Sequence, residues 1–170
     1  MSIRLITLNT VVVIGISLLL LLPACVGTPD VNGNSKQNLT PAGKGAYILC
    51  EGLSGQNNTT LWRYSFFHSQ SVTTQDYFTS ANPGLKLGDT GNALKMKGDT
   101  AYIPITSNGM IEIMNISTGK SLGRIILNGT KRAPRDITIV NDTVGYISDF
   151  HTHSLTRFNP TTFTITQDLI

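Results

Sequence analysis

Two stretches of this 170-residue chain superimpose at an offset of 44 residues. Tyr102 falls on Tyr146, Ile111 on Leu155, Asn115 on Asn159, Thr118 on Thr162, and Ile125-Ile126 on Leu169-Ile170. The runs between these coincidences are short and strand-like, and Gly, Asn, Asp and Pro separate them. A fixed period of about 40–45 residues filled with short strands is the signature of a β-propeller blade. A single blade cannot bury its own faces, so blades must stack on their neighbours. The period therefore predicts an all-β fold built from β-propeller blades of four antiparallel strands.

The strands can be placed from the alternation. In the second repeat they fall at 94–96, 101–105, 111–114 and 122–127, with a turn at Gly98-Asp99. In the third they fall at 137–139, 144–148, 155–158 and 163–170, with turns at Asn141-Asp142 and Asn159-Pro160-Thr161. The first repeat is looser. Tyr47 lies 55 residues before Tyr102, but Leu61 lies 50 before Ile111, so the loop through 52–60 is longer. Pro104 lacks the N–H a central strand needs, which predicts a bulge or an edge there. Trp62 and Tyr64 alternate on a strand, as blade-packing residues do. No segment sustains the i, i+3, i+4, i+7 apolar spacing of a helix.

The N-terminal region follows another logic. Arg4 precedes an apolar run at 11–22, too short for a membrane span of about 20 residues and suited to a signal peptide. Leu22-Pro23-Ala24-Cys25 resembles a bacterial lipobox, which implies cleavage after Ala24 and lipidation of Cys25. Several acyl chains on Cys25 would hold the protein on a lipid bilayer, and no Asp follows to retain it at the inner membrane, so an outer-membrane site is expected. Residues 26–44 are rich in Gly, Asn, Pro, Ser and Thr and are expected to be a flexible tether with a reach of roughly 25 Å. The expected organisation is a leader at 1–24, a lipidated Cys and tether at 25–44, and blades at 45–170. Removing 1–24 takes only Arg4, so Lys+Arg falls from 13 to 12 against 10 Asp+Glu, a net charge of +2. That balance gives no electrostatic footprint for nucleic acid. With Cys25 lipidated, Cys50 has no disulfide partner and is expected to be a small buried side chain on or near a strand.

Thr100-Ala101-Tyr102-Ile103 followed by Ile111-Glu112-Ile113-Met114-Asn115 resembles the blade of the YVTN-repeat (YncE-like) propellers. Val144-Gly145-Tyr146-Ile147-Ser148-Asp149 followed by Leu155 to Asn159 resembles it again. Ala46-Tyr47-Ile48-Leu49-Cys50-Glu51-Gly52 is similar to the opening of lipoprotein members of the Bacteroidetes type. The resemblance spans about 45–170 and implies roughly seven blades, where residues 45–170 hold just under three. Residues 45–170 are therefore expected to be the N-terminal portion of a longer propeller. The resemblance also implies surface lipoproteins, some of which capture cobalamin beside a TonB-dependent outer-membrane receptor. Asp99-Thr100-Ala101 and Asp142-Thr143-Val144 match the short O-glycosylation pattern of such bacteria.

Loops at one end of stacked blades are where such scaffolds concentrate binding residues. Those loops fall at 51–60, 107–109 and 150–154, with connectors at 82–92 and 128–135. Asp149-Phe150-His151-Thr152-His153 is the densest group. On an extended segment Asp149, His151 and His153 would point to one side, toward a ligand. Glu51, Asn57 and Asn58 are candidates for sugar or corrin-amide contacts, and Arg135 for an anionic group. No metal or cofactor is assigned. The chain carries no nucleophile elbow, P-loop or dinucleotide fingerprint. The expected function is non-catalytic capture of a small molecule or glycan, or docking on a partner protein. A propeller enzyme of lactonase or quinoprotein type and a structural or adhesive surface protein are the alternatives.

Overall fold

The computed structural model describes residues 45–65 and 72–169. The expected leader at 1–24, the lipidation residue Cys25 and the tether to 44 lie outside them. Three antiparallel sheets follow one another in chain order. Blade I holds β1 (Gly45–Cys50), β2 (Thr60–Ser65) and β3 (Val72–Thr74). Blade II holds β4 (Lys95–Lys97), β5 (Thr100–Ile105), β6 (Met110–Asn115) and β7 (Ser121–Ile126). Blade III holds β8 (Pro134–Ile139), β9 (Gly145–Asp149), β10 (Leu155–Asn159) and β11 (Thr164–Leu169). Each sheet is a simple up-and-down meander. The all-β class and the four-stranded blades expected from the 44-residue period are therefore present in blades II and III. Among the described residues blade I has three strands, with β1 at the edge.

The repeat extends to irregularities. The β6–β7 pairing shifts register between Ile113 and Met114. The β10–β11 pairing shifts between Arg157 and Phe158, the same position 44 residues on. Both turns ahead of the fourth strand are tied by an Asn side chain: Asn115 Oδ1 accepts from Thr118 N at 2.9 Å, and Asn159 Oδ1 from Thr161 N at 2.8 Å. Both turns then need a left-handed residue, Gly119 (φ 73°) in one and Phe163 (φ 59°) in the other. Phe163 keeps that costly conformation while its ring packs edge-on against Tyr102 at 6.4 Å.

The blades stack by burying alternate residues of each central strand. Ala101, Ile103 and Ile105 of β5, with Met110 and Met114 of β6, pack toward Leu61 of blade I. Tyr102, Ile111 and Ile113 pack the opposite way, toward Ile137, Ile147 and Phe158 of blade III. One tyrosine recurs at each junction. Tyr47 Oη donates to the carbonyl of Ile116 at 3.0 Å. Tyr102 Oη donates to the carbonyl of Pro160 at 3.1 Å. Ile116 and Pro160 are again 44 residues apart, so β1 of blade I and β5 of blade II each bond the turn of the next blade.

Three expectations need correction. Pro104 sits neither at a bulge nor on an edge strand: it lies in β5, between β4 and β6, opposite Ile111. Its carbonyl accepts from Asn92 N on the flank that β4, ending at Lys95↔Tyr102, no longer covers. The missing N–H faces that same flank, where the 91–92 connector rather than β4 lies alongside through the bridge Gly91↔Ile105, so the pairing of β5 with β4 and β6 loses no bond. A helix is present: α1 (Tyr77–Ala81), capped by Asp76 and burying Tyr77, Phe78 and Ala81. Five residues are too few to show a helical period. Cys50 is half-buried at the end of β1 rather than fully buried.

Candidate ligand-binding loop face

The loops named from the sequence converge at one end of the blades, and hydrogen bonds tie them together. Connector 88–92 bonds the β1–β2 loop through Thr59 N to Gly88 O at 3.1 Å and Gly91 N to Glu51 O at 3.2 Å. Asp89, 8% exposed, is the knot. Its Oδ2 accepts from Gly55 N at 2.5 Å, and its own N–H donates to Asn108 Oδ1 at 2.7 Å. Thr59 Oγ1 accepts from Gly91 N at 2.8 Å and donates to Glu51 O at 2.6 Å. The 3-10 turn Thr106–Asn108 carries the network onward, because Thr106 Oγ1 donates to Pro134 O of blade III at 2.8 Å.

Two clefts flank that turn. The larger, about 400 Å³, is lined by Asn57, Leu85, Lys86, Asn108, Met110 and Arg124. The smaller, about 220 Å³, is lined by Thr106, Ser107, Lys131, Arg132, Ala133 and His151. The charged side chains lining both clefts are basic. Arg124 is held by buried Glu112, with Nε at 2.5 Å from Oε2. Burial raises the Glu112 pKa, while bonds from Ser121 and Arg124 oppose that rise. Arg132 is held by Asp149 at 2.8 Å. Lys86, Lys131 and the Asn57 amide carry no side-chain partner among the described residues. They are the groups left available to a ligand.

The structure separates the sequence candidates. Asn57 lines the larger cleft in a left-handed conformation, φ 50°. His151 lines the smaller one, its ring 5.7 Å from that of Phe150. Asp149 lies beneath His151 and is fully engaged. Its Oδ1 accepts from His151 N and Thr152 N, both at 3.0 Å, and its Oδ2 from Arg132 and Ala133 N. Burial alone would raise its pKa, but the bonds from Arg132 and the backbone amides outweigh that and hold it at about 2. The segment is a turn, not an extension, so Asp149, His151 and His153 do not share a side. His153 is exposed, in a left-handed conformation, and lines neither cleft. Among the described residues no group of three His, Cys, Asp or Glu is placed to hold a metal ion. Arg135 is exposed and stacks over Phe150 at 5.9 Å. Asn58 Oδ1 caps Leu53 N at 2.8 Å, a turn role, and Glu51 serves the network through its carbonyl.

A family model described as Domain of unknown function (DUF5074) matches residues 44–170. The chain belongs to the DUF5074 family. The matched span opens one residue before β1, so the family domain and the stacked blades coincide at that end. No curated protein matches the chain. For this DUF5074 chain the sequence named neither Asp89, Thr59 and Thr106, which weld the loops, nor Lys86, Asn108 and Arg132, which line the clefts. Gly88-Asp89-Thr90-Gly91 was a visible turn signal. Its role depends on a contact with Gly55, 34 residues away.

Proposed function

We propose that this protein is a non-catalytic binding lipoprotein of YVTN-like propeller type. Cys25 anchors it in the outer membrane, and the loop face captures a polar ligand bearing an anionic group. The observation that supports the reading is the welded loop face. Three blades and two connectors give a preorganised rim whose spare groups are Lys86, Lys131 and the Asn57 amide. Preorganised clefts with a few convergent polar groups are the usual form of a small-molecule site. A corrinoid, with its phosphate and peripheral amides, fits these groups, as does an acidic glycan. Delivery to a TonB-dependent receptor would follow if the ligand is a corrinoid.

The test is calorimetric titration of the protein with cyanocobalamin and with a panel of acidic and neutral oligosaccharides. Binding by one class is expected. The combined variant Asn57→Ala, Lys86→Ala should weaken it at least tenfold without changing the melting temperature. Absence of binding by every probe, or binding indifferent to those substitutions, sinks this reading of the loop face.

A further inference from the structure

Each cleft of the loop face is lined by one arginine, and the two arginines are used differently. Arg132, in the smaller cleft, is spent. Its Nε donates to Asp149 at 2.8 Å, its Nη1 to the carbonyl of Asn128 at 2.9 Å and its Nη2 to Thr156 Oγ1 at 2.6 Å. Its side chain is 8% exposed. Arg124, in the larger cleft, has a side chain 34% exposed and spends only one edge. Its Nε donates to the buried Glu112 carboxylate at 2.5 Å, and its Nη2 to the carbonyl of Lys86 at 2.9 Å. Nε and Nη2 share one side of the planar fork. Nη1 has no partner among the described residues. The Nη1–Nη2 end of the guanidinium is therefore the part left for a ligand.

Two fixed points set the direction of that end. Glu112 is fully buried in β6, opposite Arg124 in β7, and Ser121 Oγ donates to its other oxygen at 2.5 Å. The Lys86 carbonyl is the second point, and it brings the Lys86 residue beside Arg124 on the same cleft. A guanidinium already held at two points has less freedom to lose on binding. The rest of the lining is selective. Asn57 brings an amide without a partner, and Asn108 keeps its Nδ2 available because only its Oδ1 is used, on Asp89 N. Leu85 and Met110 are the apolar part, and no carboxylate is among the described lining residues. Neutral sugars, rich in O–H donors, would find few side-chain acceptors there. A fitting ligand has an anion for the fork, hydroxyls for two amides and a C–H face for Leu85 and Met110. A pyranose bearing a carboxylate has all three, on a scale suited to about 400 Å³.

We propose that the larger cleft is the subsite for a uronic acid residue of an acidic glycan, with Arg124 selecting the carboxylate and Glu112 positioning Arg124. This rests on the reading of the loop face as a ligand-binding surface, and within it chooses a carboxylated sugar over a corrinoid. The planar end of the fork takes the two carboxylate oxygens side by side. Lys86 adds a second positive charge, and the Asn57 and Asn108 amides take ring hydroxyls. A methyl ester keeps the shape of the sugar but removes its charge and leaves the guanidinium end poorly matched. Discrimination of acid from ester is thus the property that this cleft confers.

Calorimetric titration of the protein with trigalacturonate, its fully methyl-esterified form, galactose 6-phosphate and cyanocobalamin tests this. Trigalacturonate is expected to bind at least tenfold more tightly than its ester. Arg124→Lys keeps a cation beside Glu112 but removes the fork, and should weaken the acid at least tenfold. Asn57→Asp places an anion in the cleft at a left-handed position that Asp tolerates. It should weaken the acid as much by like-charge repulsion and leave the ester unchanged. That variant does not touch the Glu112 pair, so the test survives an Arg124 variant that fails to fold. Glu112→Gln should lower the ratio of acid to ester binding, which a merely structural role would not move. Equal binding of acid and ester overturns the proposal. So does tighter binding of the sugar phosphate than of the acid, or an acid-to-ester ratio indifferent to Arg124→Lys and Asn57→Asp. A loss produced by Lys131→Ala alone also overturns it, because the anion then sits in the smaller cleft. Binding of cyanocobalamin and no sugar overturns it while leaving the loop face a binding surface. Binding of none of these probes removes both readings.

Discussion

Two carboxylates are displaced in opposite directions because burial and partners balance differently. Asp149 accepts four bonds, three of them from backbone amides and one from Arg132. Its folded pKa lies below the ordinary 3.8, at about 2. The native state thus binds its proton less readily than the unfolded chain. The stability it lends is present above about pH 4 and is lost as pH falls toward 2, about 2 kcal/mol in all. Denaturant titrations from pH 5 to 2 should show that loss, and Asp149→Asn should lack this component of it. Glu112 is raised by burial, with Arg124 and Ser121 opposing. Arg124→Met leaves a buried charge with only the Ser121 hydroxyl and should cost about 3–5 kcal/mol near neutral pH. Glu112→Gln should cost less, since the Arg124 side chain, 34% exposed, can return to water. A raised acid contributes most below its unfolded value and loses that contribution as pH rises through the folded one. The Arg124→Met protein should therefore melt higher at pH 5 than at pH 7.

At the scale of elements, the junction tyrosines distinguish a repeat from a row of similar sheets. Tyr102 is 2% exposed and its hydroxyl satisfies the Pro160 carbonyl. Tyr102→Phe keeps the ring packed against Phe158 and Phe163 but strands that acceptor, so a loss of about 1–3 kcal/mol is expected by chemical denaturation. Helix α1 is the other local determinant. Too short to be stable alone, it exists because Tyr77 and Phe78 are fully buried between blades I and II. Tyr77→Ala removes that packing, two hydroxyl bonds and the Arg63 stack. It should cost about 3–5 kcal/mol, with blade I losing hydrogen-exchange protection before blade II. The strands of blades II and III were legible from alternation and the 44-residue offset. The helix was not, because five residues carry no period and its apolar positions have meaning only against Leu61 and Ile116.

For the molecule as a whole, lipidation is the decisive property to test. Cys25→Ala should shift the protein from the membrane to the soluble fraction and abolish labelling by radioactive palmitate. Retention in the membrane with no label would return the leader to some other role. The candidate site shows how far a sequence carries at this scale. The loops were nameable because each lies at a fixed place in the repeat. Which side chains remain free for a ligand was not, because that depends on which are spent on scaffolding. Asn58 and Asp149 looked like Asn57 and His151 in one dimension, yet they cap turns and ion-pair, while the latter two line clefts.

The period determined the all-β class, the blade as the unit of packing, the strand positions and the turns, because a spacing of apolar and turn residues is local information. Tertiary structure alone decided that Tyr47 and Tyr102 bond the next blade, that Asp89 welds three loops, that Pro104 faces the 91–92 connector, and that the Tyr146 hydroxyl and the Arg157 guanidinium have no partner among the described residues. Each of those facts is a contact between residues distant in the chain, and no local spacing encodes which distant groups meet.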